Sequence, residues 1–255
     1  LYNSVRIFGM NEPVPLREIF INVNILESIN SRQWKNVQEL MKTFDLDNRG
    51  FGKKEETISA IQAIDKFQKL TVLGKPGSGK TTLLKNIALQ ALDGNFEKKL
   101  IPIFITLKAL VDSGKEVMDF IVEQFDICQF PEAEPYVERI LSKGRCIILF
   151  DGLDEVNKEK NNKIVRDIQD FSDKYKDNNF ILSCRTAAYN DCFEKFANVE
   201  LADFTDDQIE AFINNWFGKG SIKAKSCWEK LERPENKPIK ELASTPLLLT
   251  LLCIA

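Results

Sequence analysis

The chain has 255 residues, of which 44% are apolar and 29% charged, enough for a packed core and without the charge excess of a disordered chain. Its 35 lysines and arginines stand against 38 acids, and the net charge of −3 argues against a general nucleic-acid footprint. There is no histidine, which excludes Ser-His-Asp and Cys-His catalysis and histidine metal sites from this segment.

Pro13 and Pro15 precede an apolar run from Leu16 to Ile29. Residues 31–56 are polar and charged, around a turn at Asp47-Asn48-Arg49-Gly50. The spacing of Ile58, Ile61, Ile64 and Phe67 predicts a helix over 57–68. A short strand, Leu70 to Leu73, leads into a glycine-rich turn, followed by a helix over 81–92, a strand over 100–106 and a helix over 115–125. Strands are predicted at 145–150, 180–184 and 199–201, with a helix over 159–175. Apolar strands alternating with helices indicate an α/β fold: a parallel sheet covered by helices on both faces.

Beyond residue 203 only helices are expected, over 205–217, 221–231, 238–243 and from 247 onward. Thr205 is the natural N-cap of the first, with Asp206 and Asp207 suiting the helix dipole. The expected organisation is an N-terminal extension packed on the core (1–56), a P-loop domain (57–204) and the start of a small all-helical domain (205–255). The first residue is Leu1 and the last lie in an apolar helical run, so a longer polypeptide is expected around this segment. That run, Leu247 to Ala255, is too short to span a bilayer, and no signal peptide is visible. The six cysteines, at 128, 146, 184, 192, 227 and 253, form no CxxC pair and point to a reducing, cytoplasmic setting rather than a zinc ribbon.

Gly74-Lys75-Pro76-Gly77-Ser78-Gly79-Lys80-Thr81 fits GxxxxGK[ST] between a predicted strand and a predicted helix. Glycines let backbone N–H groups turn inward around phosphate oxygens, and the helix N-terminus adds positive partial charge. Lys80 would reach the β- and γ-phosphates, and the Thr81 hydroxyl would ligate Mg²⁺. Ile147 to Phe150 ends in Asp151, placed to hold Mg²⁺ through its water shell, and Asp154 or Glu155 could orient or deprotonate the attacking water. Phe180 to Cys184 ends in Arg185, whose guanidinium could contact the γ-phosphate.

Two lookalikes weigh less. Asp45 to Gly50 with Glu56 imitates a calcium loop, but Arg49, Lys53 and Lys54 place positive charge where the ion would sit. Lys219, Lys223, Lys225 and Lys230 cluster near Trp216 and Trp228, yet Asp206, Glu229 and Glu232 dilute the field, and a solvated helix face is favoured over nucleic acid.

GKPGSGKTT (Gly74 to Thr82), ILFDGLDEV, ILSCRT, LADFTDDQIEAFINNWF and STPLLLTLLC together resemble the NACHT branch of the STAND NTPases, over residues 57–255. PVPLREIFINV also resembles a stretch upstream of prokaryotic NACHT modules. The resemblance implies an ATP/ADP-gated switch with Mg²⁺, slow hydrolysis, and self-association of a multidomain sensor in immune or antiphage signalling. It implies that Pro246 packs on adenine, that Asp151 is the magnesium aspartate, that Glu155 or Asp154 activates water, and that Arg185 is the sensor arginine. Thr82 joins the nucleotide contacts by the same likeness. Effector and sensor domains of the same polypeptide would be the further partners. A scaffold that keeps ADP without turnover, and an ordinary P-loop ATPase, remain as alternatives.

Overall fold

The structure is a computed structural model that describes residues 4–5, 13–26, 44–45, 50–51, 57–96 and 99–254. Two short antiparallel pairs lie outside the main sheet: β1 (Ser4–Val5) with β2 (Val14–Pro15), and β4 (Phe44–Asp45) with β5 (Gly50–Phe51). Between them come α1 (Leu16–Ile19) and β3 (Asn24–Leu26). Of the calcium-loop lookalike, Asp45 pairs with Gly50 across β4 and β5, while 46–49 and 52–56 lie outside the described residues.

The chain continues through β6 (Thr57–Ser59), α2 (Ala60–Lys66), β7 (Lys69–Gly74), α3 (Lys80–Leu92) and β8 (Ile101–Thr106). It goes on through α4 (Leu107–Ser113), α5 (Val117–Ile127), α6 (Ala133–Ser142), β9 (Cys146–Asp151) and α7 (Lys158–Lys174). β10 (Asn179–Arg185) and β11 (Ala197–Leu201) complete the strands, and α8 (Asp206–Phe217), α9 (Ile222–Leu231), α10 (Lys237–Ala243) and α11 (Pro246–Ile254) follow.

The main sheet has seven strands in the order β6-β3-β11-β7-β10-β9-β8. β11, β7, β10, β9 and β8 run parallel, as the apolar runs predict. The sheet is nevertheless mixed, because β3 and β6 add an antiparallel edge. The helix expected over 57–68 accordingly starts later. Thr57 to Ser59 pair with β3, and Ser59 then caps α2 through a reciprocal box in which its Oγ accepts from the Gln62 N–H and Gln62 Oε1 accepts from the Ser59 N–H.

Side chains alternate between two cores. On β9, Ile147 and Leu149 face one cluster, while Cys146, Ile148 and Phe150 face the other. The first cluster holds α3, β3 and also α8 to α11, through Ile209, Phe212, Ile213, Ala224, Leu231, Ala243, Leu249 and Cys253. The second is closed by α4 to α7. The C-terminal helices thus share one continuous core with the sheet across residue 204. Thr205 caps α8 with the same reciprocal arrangement, its partner being Gln208. Around the basic cluster, Trp216 stacks on Phe212 and Lys240 lies over the Trp228 ring, so both rings are engaged within the fold. Among the described residues no helix is long and apolar enough to cross a membrane.

Candidate functional site

Parallel strands bring their carboxyl ends to one edge of the sheet, and the loops leaving that edge form a natural crevice. Gly74 at the end of β7 is in register with Arg185 at the end of β10, and Thr106 at the end of β8 with Asp151 at the end of β9. The glycine-rich turn, the acidic turn and the arginine are therefore neighbours by sheet register alone. They border a cavity of about 660 Å³.

The turn leaves β7 and enters α3 through Gly77 (φ +77°) and Gly79 (φ +90°), left-handed conformations that a residue with a Cβ adopts only with strain. Gly79 is the N-cap of α3, so the first-turn N–H groups of Lys80 and Thr81 have no intrahelical acceptor and face the turn. Pro76, Gly77, Ser78, Gly79, Lys80, Thr81 and Thr82 line the cavity. Gly74 and Lys75 do not. Instead their carbonyl oxygens accept hydrogen bonds from Lys80 Nζ, at 2.9 Å each, and Lys75 Nζ pairs with Asp203 at 2.8 Å. Burial is the main influence on Lys80 and holds its ammonium below the ordinary lysine value; Arg185 adds to this, and Asp154 and Asp151 oppose it. The negative charge of a polyphosphate beside it would act in the opposite direction to burial.

Opposite the turn, Asp151 is buried at the end of β9. Its Oδ1 accepts two hydroxyl hydrogen bonds, from Ser183 at 2.7 Å and from Thr81 at 3.1 Å. Neither partner is cationic. A buried carboxylate held only by hydroxyls, beside a threonine that could turn outward, suits a hard divalent cation that takes one carboxylate, one hydroxyl and phosphate oxygens. Among the described residues no cluster of three or more acidic or thiol ligands exists, so an all-protein metal cage is not what this edge offers. Asp154 has both oxygens committed to Arg185, and Glu155 is exposed on the cavity wall.

Pro246 opens α11 at its first position, where a missing N–H costs nothing. It stands over Gly79, and the neighbouring Leu247 N–H donates to the Gly77 carbonyl at 3.2 Å. The remaining wall is apolar: Phe20, Ile21, Val23, Phe204 and Phe212. Sequence reasoning missed these residues, and Ser183 with them. The apolar run from Leu16 was visible as a run, but nothing local ties it to a turn more than fifty residues further on. Phe204 adjoins the helix cap Thr205, which was the nearest available signal.

A family model described as the NACHT domain matches residues 68–220, more than half of the chain. The chain belongs to the NACHT family. Membership makes it a P-loop NTPase, and nucleotide binding with nucleoside-triphosphatase chemistry belongs to that class. No curated protein matches this NACHT chain. Among solved structures it is similar to domain III of the replication initiation protein DnaA from Thermotoga maritima, at 13% identity and TM-score 0.43 over 72% of this chain and 79% of that one. It is also similar to a singly substituted RuvB from Thermotoga maritima, at 17% identity and TM-score 0.39 over 76% of this chain and 57% of that one. A third likeness is to C. elegans PCH-2, at 11% identity and TM-score 0.40 over 73% and 61%.

Proposed function

We propose that this NACHT chain is a nucleotide-controlled switch, which binds ATP or ADP with Mg²⁺ and hydrolyses ATP slowly to set the self-association of a multidomain signalling or antiphage-defence protein in the cytoplasm. The observation that carries the reading is the 3.1 Å contact between Thr81 Oγ1, on the helix that follows the glycine-rich turn, and Asp151 Oδ1, on the next-but-one strand of the sheet.

In this reading the phosphates lie in the turn between Gly77 and Thr81, with Lys80 on the β- and γ-phosphates and Thr82 at the helix start. Thr81 and Asp151 would hold magnesium, which supplies charge neutralisation at the phosphates when bound. Phe20, Ile21, Phe204 and Pro246 receive the base, a set of apolar surfaces that suits adenine. Glu155 takes the proton of the attacking water, because Asp154 already spends both oxygens on Arg185. Arg185, fixed by that pairing, faces the γ-phosphate and reports its loss. Leu247 on Gly77 links the turn to the helical part, so the state of the phosphate site reaches α11 directly.

Release of bound nucleotide from freshly denatured protein, followed by chromatography, tests the binding step: ADP or ATP close to one per chain is expected. A Glu155→Gln variant separates switch from scaffold, since a scaffold that never turns over loses nothing by it. Unchanged turnover in Glu155→Gln, or binding unaffected by Lys80→Ala, would sink the switch reading. Light scattering with ATP against ADP then reads the self-association.

A further inference from the structure

Ser183 lies within the ILSCRT stretch but has no role among the expected site residues, yet it is 1% exposed and its hydroxyl both donates and accepts a hydrogen bond. Ser183 Oγ donates to Asp151 Oδ1 at 2.7 Å and accepts the Gly152 N–H at 2.9 Å. One hydroxyl therefore fixes both the carboxylate and the backbone turn that follows it. On β10, residues 183 and 185 point to the same face of the strand. Ser183 holds the acid at the end of β9, while Arg185 holds Asp154 just beyond it.

Thr81 makes the other contact to the same Asp151 oxygen, and that contact is the weaker one, at 3.1 Å. Thr81 would ligate the cation through an oxygen lone pair while its O–H still points to Asp151, whereas Ser183 holds both Asp151 and the Gly152 N–H without any cation. We propose that Ser183 is the positioning residue of the site: its hydrogen bond fixes Oδ1 of Asp151 and so presents the other carboxylate oxygen to the hydrated magnesium of the bound nucleotide, whether or not Thr81 is attached. The proposal rests on the reading of Thr81 and Asp151 as the magnesium side of a nucleotide site.

The test is nucleotide affinity of the purified chain with Mg²⁺ and with EDTA, for wild type, Ser183→Ala, Ser183→Cys and Ser183→Thr. Mn²⁺ binding in the presence of ADP, followed by electron paramagnetic resonance, provides a readout independent of turnover. Ser183→Ala is expected to weaken Mn²⁺ binding about tenfold, the usual loss when a partner of a metal ligand is removed, while affinity in EDTA stays within about twofold. Ser183→Thr keeps the hydroxyl and is expected to restore Mn²⁺ binding to near the wild-type value. Should Ser183→Ala fail to fold, Ser183→Cys keeps the shape with a poor donor and is expected to show the same loss. Metal binding equal to wild type in the folded Ala or Cys variant overturns the proposal. Affinity that falls equally with Mg²⁺ and EDTA also overturns it, since that marks a structural role only. Wild-type protein whose nucleotide binding ignores Mg²⁺ overturns the site reading itself, and Ser183 with it.

Discussion

Arg185 and Asp154 are joined twice: Nε to Oδ2 at 2.8 Å, and the Arg185 backbone N–H to Oδ1 at 3.0 Å. The Asp154 side chain is 9% exposed and that of Arg185 is 52% exposed, so the pair lies between a buried and a surface ion pair. Truncating Arg185 leaves a mostly buried carboxylate with only a backbone donor. Arg185→Ala is expected to lower unfolding stability by about 1–2 kcal/mol, above the surface range and below the fully buried one. Urea denaturation measures this, and Asp154→Asn, which retains an acceptor for the N–H, should cost less.

Lys80 links protonation to binding. Burial lowers its pKa in the folded chain, so the unfolded chain holds the proton more tightly. Charging this lysine therefore opposes folding below the folded-state value. The penalty fades as pH rises from the depressed value to the ordinary one, and stability from this group rises across that window. Phosphate oxygens act the other way and restore the charge, so nucleotide binding takes up protons where the free chain has begun to lose them. Calorimetry in buffers of different ionisation enthalpy is expected to show proton uptake on the alkaline side, absent in Lys80→Ala. That variant should bind nucleotide about 2–4 kcal/mol more weakly, the scale of one or two charge-assisted hydrogen bonds.

Gly77 is pinned from two directions. Its φ is +77°, and a Cβ added there would lie 2.8 Å from Leu247 Cβ and 3.1 Å from Leu247 Cδ2. Gly77→Ala is therefore expected to cost about 1–3 kcal/mol and to loosen α11 from the turn. Leu247→Ala keeps its Cβ and should relieve little of this, whereas Leu247→Gly should relieve more. A double-mutant cycle by thermal or urea unfolding reads the difference, with a coupling of about 1 kcal/mol for the Gly77→Ala/Leu247→Gly pair.

The thiols should divide sharply by burial. Cys128 is exposed, whereas burial pushes Cys146, Cys184 and Cys253 up to about 12. Since the thiolate is the reacting species, alkylation at pH 8 is expected at Cys128 first, with Cys192 and Cys227 slower. The three buried thiols should react only on unfolding, which peptide mapping by mass spectrometry would show.

Turnover gives a further separation of roles. Glu155→Gln is expected to lower hydrolysis about 100-fold, the smaller end of general-base losses, with ATP affinity nearly unchanged. Nucleotide binding by filtration and phosphate release, measured on the same preparation, check it.

The glycine-rich turn, the acids at 151, 154 and 155, the arginine at 185 and the alternation of apolar strands with helices were all legible in the sequence. Each is written locally: a phosphate turn needs glycines and a lysine within eight residues, and a buried parallel strand is a continuous apolar run. Thr205 was legible for the same reason, since a helix cap is a one-turn signal. Tertiary structure decided the rest. β3 and β6 have three residues each and become strands only because β3 pairs with the edge of β11 and β6 with β3, which is why Thr57 to Ser59 read as helix. Phe20, Ile21 and Val23 reach the cavity by that same pairing, far from the turn they face. Ser183 looked like an ordinary polar residue in a strand until sheet register set it 2.7 Å from Asp151. Short-range chemistry is carried by residue type and spacing, whereas a contact between distant segments exists only once the sheet has fixed which strands are neighbours.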